Sequence, residues 1–136
     1  MSKILLVEDD PLIYRVYQKL LQHENYEVEI AENGQQGIDK LKYWPADLIL
    51  LDIMMPKMNG IDMLIKIKTD LETKNIPVIV LTNVSNMQVA NEAVAKGANS
   101  IIIKSETEPD QVISAIQAAL GKALQQKSPP PADTQT

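Results

Sequence analysis

The sequence predicts an α/β domain built on a doubly wound, five-stranded parallel sheet with five helices. Three observations carry that prediction. Short apolar runs alternate with longer segments whose apolar residues recur at helical spacing. Two of the runs, residues 48–51 and 78–81, are apolar without a break, as strands buried on both faces must be, and such strands occur mainly in parallel sheets. Polar side chains stand just after four of the runs: Glu8 and Asp9, Asp52, Thr82 and Lys104. Right-handed crossovers between parallel strands place helices on both faces, and open sheets of this kind carry their sites at the strand C-termini.

Residues 3–7 form the first apolar strand. Asp10-Pro11 then starts a helix, with Asp as the N-cap and Pro in the first turn. Leu12, Ile13, Val16, Leu20 and Leu21 supply its expected buried stripe as far as His23, the chain's single histidine, read as a favourable charge at a helix end. Val28 and Ile30 alternate with Glu27 and Glu29, so the second strand has a wetter face and belongs at a sheet edge. A short helix carrying Ile38 and Leu41 leads through Trp44-Pro45 into strand 48–51. Pro56 and Gly60 break the following loop before a helix whose expected core residues are Met63, Leu64, Ile67 and Leu71. Met54, Met55, Met58 and Met63 read as loop packing.

Pro77 opens strand 78–81. The next helix buries Val89, Ala93 and Val94 and stops at Gly97, a natural C-cap. Residues 100–103 form the last strand. The final helix has Pro109 near its start and Val112, Ile113, Ile116 and Leu120 as its stripe. Residues 1–124 make the domain. Residues 125–136, with Ser-Pro-Pro-Pro-Ala-Asp, have the composition of a disordered tail or a linker remnant.

Composition narrows the function. At 136 residues, 45% hydrophobic and 23% charged, one ordinary globular domain with a real core is expected. A net charge of −5 without clustered Lys or Arg argues against direct nucleic-acid binding. The absence of cysteine excludes disulfide scaffolds and thiolate metal sites. The apolar stretch at the N-terminus is too short for a signal peptide or membrane span, so no membrane partner and a cytoplasmic location are expected.

Asp52 organises the rest. A carboxylate ending a fully apolar run would be costly inside the core, so it should emerge at the strand tip. With Glu8 and Asp9 on the neighbouring strand, three carboxylates converge and repel. They should be partly protonated or hold a divalent cation, and an all-oxygen donor set favours Mg²⁺. Lys104 adds a positive charge and Thr82 a hydroxyl donor, a pair suited to the oxygens of a phosphoryl group in transfer. Asp52 is therefore the candidate nucleophile, forming an aspartyl phosphate.

The motifs Val7-Glu8-Asp9-Asp10, Asp52-Ile-Met-Met-Pro56-Lys-Met-Asn-Gly60, Leu81-Thr82 and Lys104 make the chain resemble response regulator receiver domains. That family is typified by the bacterial chemotaxis protein that signals to the flagellar motor. The resemblance spans residues 3 to about 124 and implies a flavodoxin-like fold with strand order 2-1-3-4-5. It implies that Asp52 is the phosphoacceptor, Asp9 a direct Mg²⁺ ligand, Glu8 a ligand through water, and the Met54 backbone carbonyl a further ligand. Thr82 and Lys104 would contact the phosphoryl group. The donor would be a phosphohistidine on a histidine kinase or histidine phosphotransfer protein, and the output an unknown protein bound through helix 4, strand 5 and helix 5. The chain would be a signalling switch, not an enzyme acting on other substrates. By the same resemblance Met54 and Val84 flank the acyl phosphate.

Two positions depart from the family pattern. Ser105 stands where a Pro with a preceding cis bond is usual. A non-proline cis bond costs about 2.5–4 kcal/mol, so a trans or more mobile loop is expected. Ile101 replaces the aromatic residue that often changes rotamer on activation. Competing classes fit less well. A haloacid dehalogenase would need an acid at position 54, and a flavin or nucleotide module would need Gly, Ser or Thr after strand 1 where Glu8-Asp9-Asp10 stands. A phosphorylation-independent binding scaffold, and a receiver cut from a longer regulator, complete the alternatives.

Overall fold

The computed structural model describes residues 2–55 and 60–127. Strands β1 (Lys3–Val7), β2 (Glu27–Ala31), β3 (Leu48–Asp52), β4 (Val78–Thr82) and β5 (Ser100–Ile103) alternate with helices α1 (Pro11–His23), α2 (Gly34–Leu41), α3 (Gly60–Thr69), α4 (Met87–Ala95) and α5 (Pro109–Lys127). The strands form one parallel sheet in the order β2-β1-β3-β4-β5, as expected, with β2 at an edge. The chain reverses direction across the sheet between β1 and β3, which makes their C-terminal ends the natural place for a site.

Strand periodicity explains the two layers of core. Leu5, Val7, Ile49, Leu51, Val78 and Val80 point to one face and meet α2, α3 and α4 through Ile38, Met63, Leu64, Ile67, Ala90 and Ala93. Their neighbours Ile4, Leu6, Leu48, Leu50, Ile79 and Leu81 point to the other face and meet α1 and α5 through Leu21, Val112, Ile113 and Ile116. Both β3 and β4 are buried along their whole length, and each fully buried Leu or Ile there contributes about 1.5–3 kcal/mol of apolar transfer.

Helix ends follow local chemistry. The Asp10 carboxylate accepts from the Leu12 N–H, and Pro11 occupies the first turn. At the far end Asn25 takes the left-handed conformation, φ 68°, while the Asn25 and Tyr26 N–H groups return to the Gln22 and Leu21 carbonyls. Gly97 does the same for α4 at φ 116°, with Gly97 and Ala98 donating to Val94 and Ala93.

Four expected core residues are exposed. On α1, Leu12 and Val16 are 74% and 62% exposed and Ile13 is only half-buried, while Tyr14 and Tyr17 join the expected Leu20 and Leu21 in packing the helix. Leu71 is 79% exposed because α3 ends at Thr69 and the chain turns before reaching it. On α4, Val94 is exposed and Ala90 takes the inward position. No cis peptide occurs among the described residues, so Lys104–Ser105 is trans. The 56–59 part of the loop after β3, including Met58, lies outside the described residues, as do positions 128–136 of the expected tail.

Candidate functional site

Parallel register builds the site. Val7 pairs with Leu51, Asp52 with Leu81 and Thr82 with Ile103, so the chain leaves β1, β3, β4 and β5 at one level of one edge. Glu8 is held where β1 ends by its own N–H, which donates to the Ala31 carbonyl at 2.9 Å, and by the Asp10 N–H, which donates to its carboxylate at 3.1 Å. Glu8, Asp9 and Asp52 each place a carboxylate oxygen within 4.8 Å of the others, and Asp9 is the least buried of the three. Oxygen-only donors this close suit a hard divalent cation, so the residues present fit Mg²⁺.

Lys104 reaches into this group from the β5 end. Its Nζ lies 2.7 Å from Glu8 Oε1 and 3.5 Å from Asp52 Oδ1. The pair with Glu8 is the tighter, and Glu8 is only 1% exposed. Burial pushes the Glu8 carboxyl up to about 7; the Lys104 hydrogen bond opposes that shift and the Asp52 charge adds to it. Burial likewise raises Asp52, against the pull of Lys104 and of the Met54 N–H, which donates to Asp52 Oδ1 at 3.2 Å. Burial alone would lower the Lys104 ammonium, but Glu8 and Asp52 outweigh it and the net shift is upward.

Thr82 ends β4 fully buried, with its hydroxyl donating to the Asn83 carbonyl at 3.0 Å and not to a carboxylate. Met54 and Val84, half-exposed, follow Asp52 and Thr82 at the same edge; Val84 opens a short 3₁₀ turn, Val84–Asn86, before α4. Two further contributors stand beside these residues, one read from the sequence only as a loop breaker and one not read at all. Gly60 closes the loop by donating to the Ile53 carbonyl at 3.0 Å, and a Cβ there would sit 2.6 Å from Ile53 Cα and 2.8 Å from the Asp52 carbonyl oxygen. Its signal was present as a Gly opening a helix, where a residue with a side chain is ordinarily tolerated. Tyr17 on α1 is the other: its phenol is raised by burial and feels both Lys104 and Glu8.

The model of the response regulator receiver domain family matches residues 4–117. The chain belongs to that family. Among curated relatives, the response regulator ArlR of Staphylococcus saprophyticus is 33% identical over 125 residues, and so is ArlR of Staphylococcus aureus. In each case the alignment covers 92% of this chain and 55% of the relative, so the chain spans about half the length of those regulators. A CheY-like receiver domain protein from Methanospirillum hungatei shares its fold at TM-score 0.85 and 27% identity, over 93% of this chain and 98% of that one. The receiver domain of a signal transduction histidine kinase from Syntrophus aciditrophicus matches at TM-score 0.82 and 28% identity, over 90% and 92%.

As a receiver domain, the chain gathers Glu8, Asp9, Asp52, Thr82 and Lys104 on one edge, as expected from the sequence. The Met54 backbone stands beside Asp52, and no helix among the described residues is long and apolar enough to cross a membrane.

Proposed function

We propose that the domain is a phosphorylation-dependent signalling switch in which Asp52 accepts a phosphoryl group from a phosphohistidine of a histidine kinase or phosphotransfer protein. The observation that carries this reading is the seating of Lys104 between Glu8 and Asp52, at 2.7 and 3.5 Å, across the mouth of the carboxylate group. An Asp52 oxygen attacks phosphorus, a P–O bond forms, and the P–N bond breaks with its electron pair returning to the imidazole. Glu8, Asp9, Asp52 and the Met54 carbonyl would hold Mg²⁺, which when bound neutralises carboxylate repulsion and charge on the phosphoryl oxygens. Lys104 already lies 3.5 Å from an Asp52 carboxylate oxygen, so its ammonium would meet the charge developing on the phosphoryl oxygens without travelling far. The domain assists its own phosphorylation and acts on no other substrate. A cytoplasmic location, without direct contact with nucleic acid or membrane, belongs to the same reading.

Output follows from Thr82. Its hydroxyl must give up the Asn83 carbonyl to reach a phosphoryl oxygen, and that exchange loosens the turn leading into α4. Phosphorylation thus biases two arrangements of the β4–α4 connection, read by a protein that docks on α4, β5 and α5. Ile101 on β5 has no ring to swing, so the change should centre on residues 82–86.

The test is incubation with acetyl phosphate with and without Mg²⁺. Wild type should take up an acid-stable, hydroxylamine-labile phosphoryl group only with Mg²⁺, and Asp52→Asn should not. Labelling that survives chelator, or equals wild type in Asp52→Asn, overturns the proposal.

A further inference from the structure

At the end of the molecule away from Asp52, the C-terminal ends of α2 and α3 and the loop before β4 border an open crevice of about 210 Å³. Ile38 and Leu41 form its apolar floor, Lys42 and Lys66 its cationic lining, and Asp70 and Glu72 its acidic lining. Of all described side chains, two of the three most exposed large apolar ones adjoin it in sequence: Tyr43, 73% exposed, follows Lys42, and Leu71, 79% exposed, sits between Asp70 and Glu72. Lys66 makes no ion pair among the described residues although Asp70 follows four positions on, and Lys42 is engaged only by exposed Asp39 at 3.7 Å.

We infer that this crevice is a self-association surface whose occupant is a second copy of the same chain. The argument is charge complementarity. Two cations and two acids cancel locally in a chain whose net charge is −5, so this patch escapes the repulsion that copies feel elsewhere. From the last turns of α3 into the turn that follows it the order is positive at Lys66 and then negative at Asp70. A copy related by a two-fold axis runs antiparallel and sets Asp70 against Lys66 twice over, while each Leu71 is offered to the partner's floor of Ile38 and Leu41. Isologous contacts need a patch complementary to itself in this way. A uniformly charged partner would meet repulsion from one half of it. The crevice is also smaller than the roughly 300–1,000 Å³ typical of small-molecule sites. The contact is of modest size and yields a weak, salt-sensitive dimer that leaves both Asp52 edges open.

Sedimentation velocity from micromolar to millimolar protein tests this. Wild type should move from monomer toward dimer as concentration rises, and high salt should reverse the shift. Leu71→Ser should weaken association severalfold. Lys66→Glu, which faces Asp70 with a like charge, should abolish it, and Lys66→Glu with Asp70→Lys should restore it. Circular dichroism establishes that each variant is folded; if the double variant is not, the two single variants decide. Wild type remaining monomeric throughout, single variants associating like wild type, or a folded double variant that stays monomeric would each overturn the inference. Acetyl phosphate labelling of Asp52 is scored separately, because loss of dimer with labelling intact separates this surface from the phosphoacceptor site.

Discussion

Replacing Glu8 by Gln should stabilise the domain in the absence of divalent cations, and the gain should depend on pH. Gln keeps the shape of a protonated Glu and cannot ionise. Glu8 carries a folded-state pKa of about 7 against an ordinary value of 4.5, so the folded state holds a proton there that the unfolded chain releases. The sign follows: a raised carboxyl contributes stability fully present below pH 4.5 and lost as pH rises through about 7. The difference corresponds to about 3 kcal/mol as an upper bound, because Glu8 is nearly inaccessible and its neutral form is the one burial favours. At pH 8 in chelator, Glu8→Gln should therefore unfold at a temperature higher by roughly 10 °C, and below pH 4.5 the two proteins should melt together. Mg²⁺ should narrow the gap at pH 8 by stabilising wild type through binding. Paired thermal melts from pH 4 to 8 read this directly. A Glu8→Gln variant less stable than wild type at pH 8 would mean that the Lys104–Glu8 pair outweighs the cost of burying the charge, and the electrostatic account of the site would be wrong.

Gly60→Ala should destabilise by about 2 kcal/mol or more, since the new methyl meets backbone atoms of Ile53 and Asp52 that cannot swing aside. Its phosphoryl uptake should also slow because the Asp52 backbone must shift; unchanged melting would show that the loop yields freely. Leu64→Ala should cost about 2–5 kcal/mol and Leu71→Ala under about 0.5 kcal/mol, as chemical denaturation would show; equal losses would return Leu71 to the core. Phosphorylated wild type should lose label slowly, because Met54 and Val84 cannot orient a water toward phosphorus. Met54→Asn and Val84→Glu should shorten the lifetime, and label retained equally long in both would remove these side chains from its control.

The strand ends were legible because burial forbids polar groups inside β3 and β4, leaving Asp52 and Thr82 only the edge to occupy. Asp10-Pro11 and Gly97 marked helix boundaries by capping chemistry that acts within a few residues. The inward faces of α1, α3 and α4 were not fully legible. On α1 the packing phase is carried by Tyr14 and Tyr17, whose rings bury while their hydroxyls stay near the edge; Tyr14 donates to Glu32 at 3.2 Å. Aliphatic spacing by itself pointed to Leu12 and Val16. On α4 the small Ala90 allows close approach to the sheet that Val94 would prevent. Within the site, residue types could be read but not partners: the 2.7 Å Lys104–Glu8 pair joins residues 96 apart, and only the completed sheet brings them together. Likewise nothing local reveals that the Thr82 hydroxyl turns to the Asn83 carbonyl.

The central claim is that Asp52 is the residue that carries the phosphoryl group. Borohydride reduction of the acetyl phosphate-treated protein, followed by peptide mapping, converts an acyl phosphate to the corresponding alcohol at the residue that bore it. The account predicts that the modified residue is Asp52, with Glu8 and Asp9 intact. Reduction found at Glu8 or Asp9 with Asp52 unmodified would contradict it.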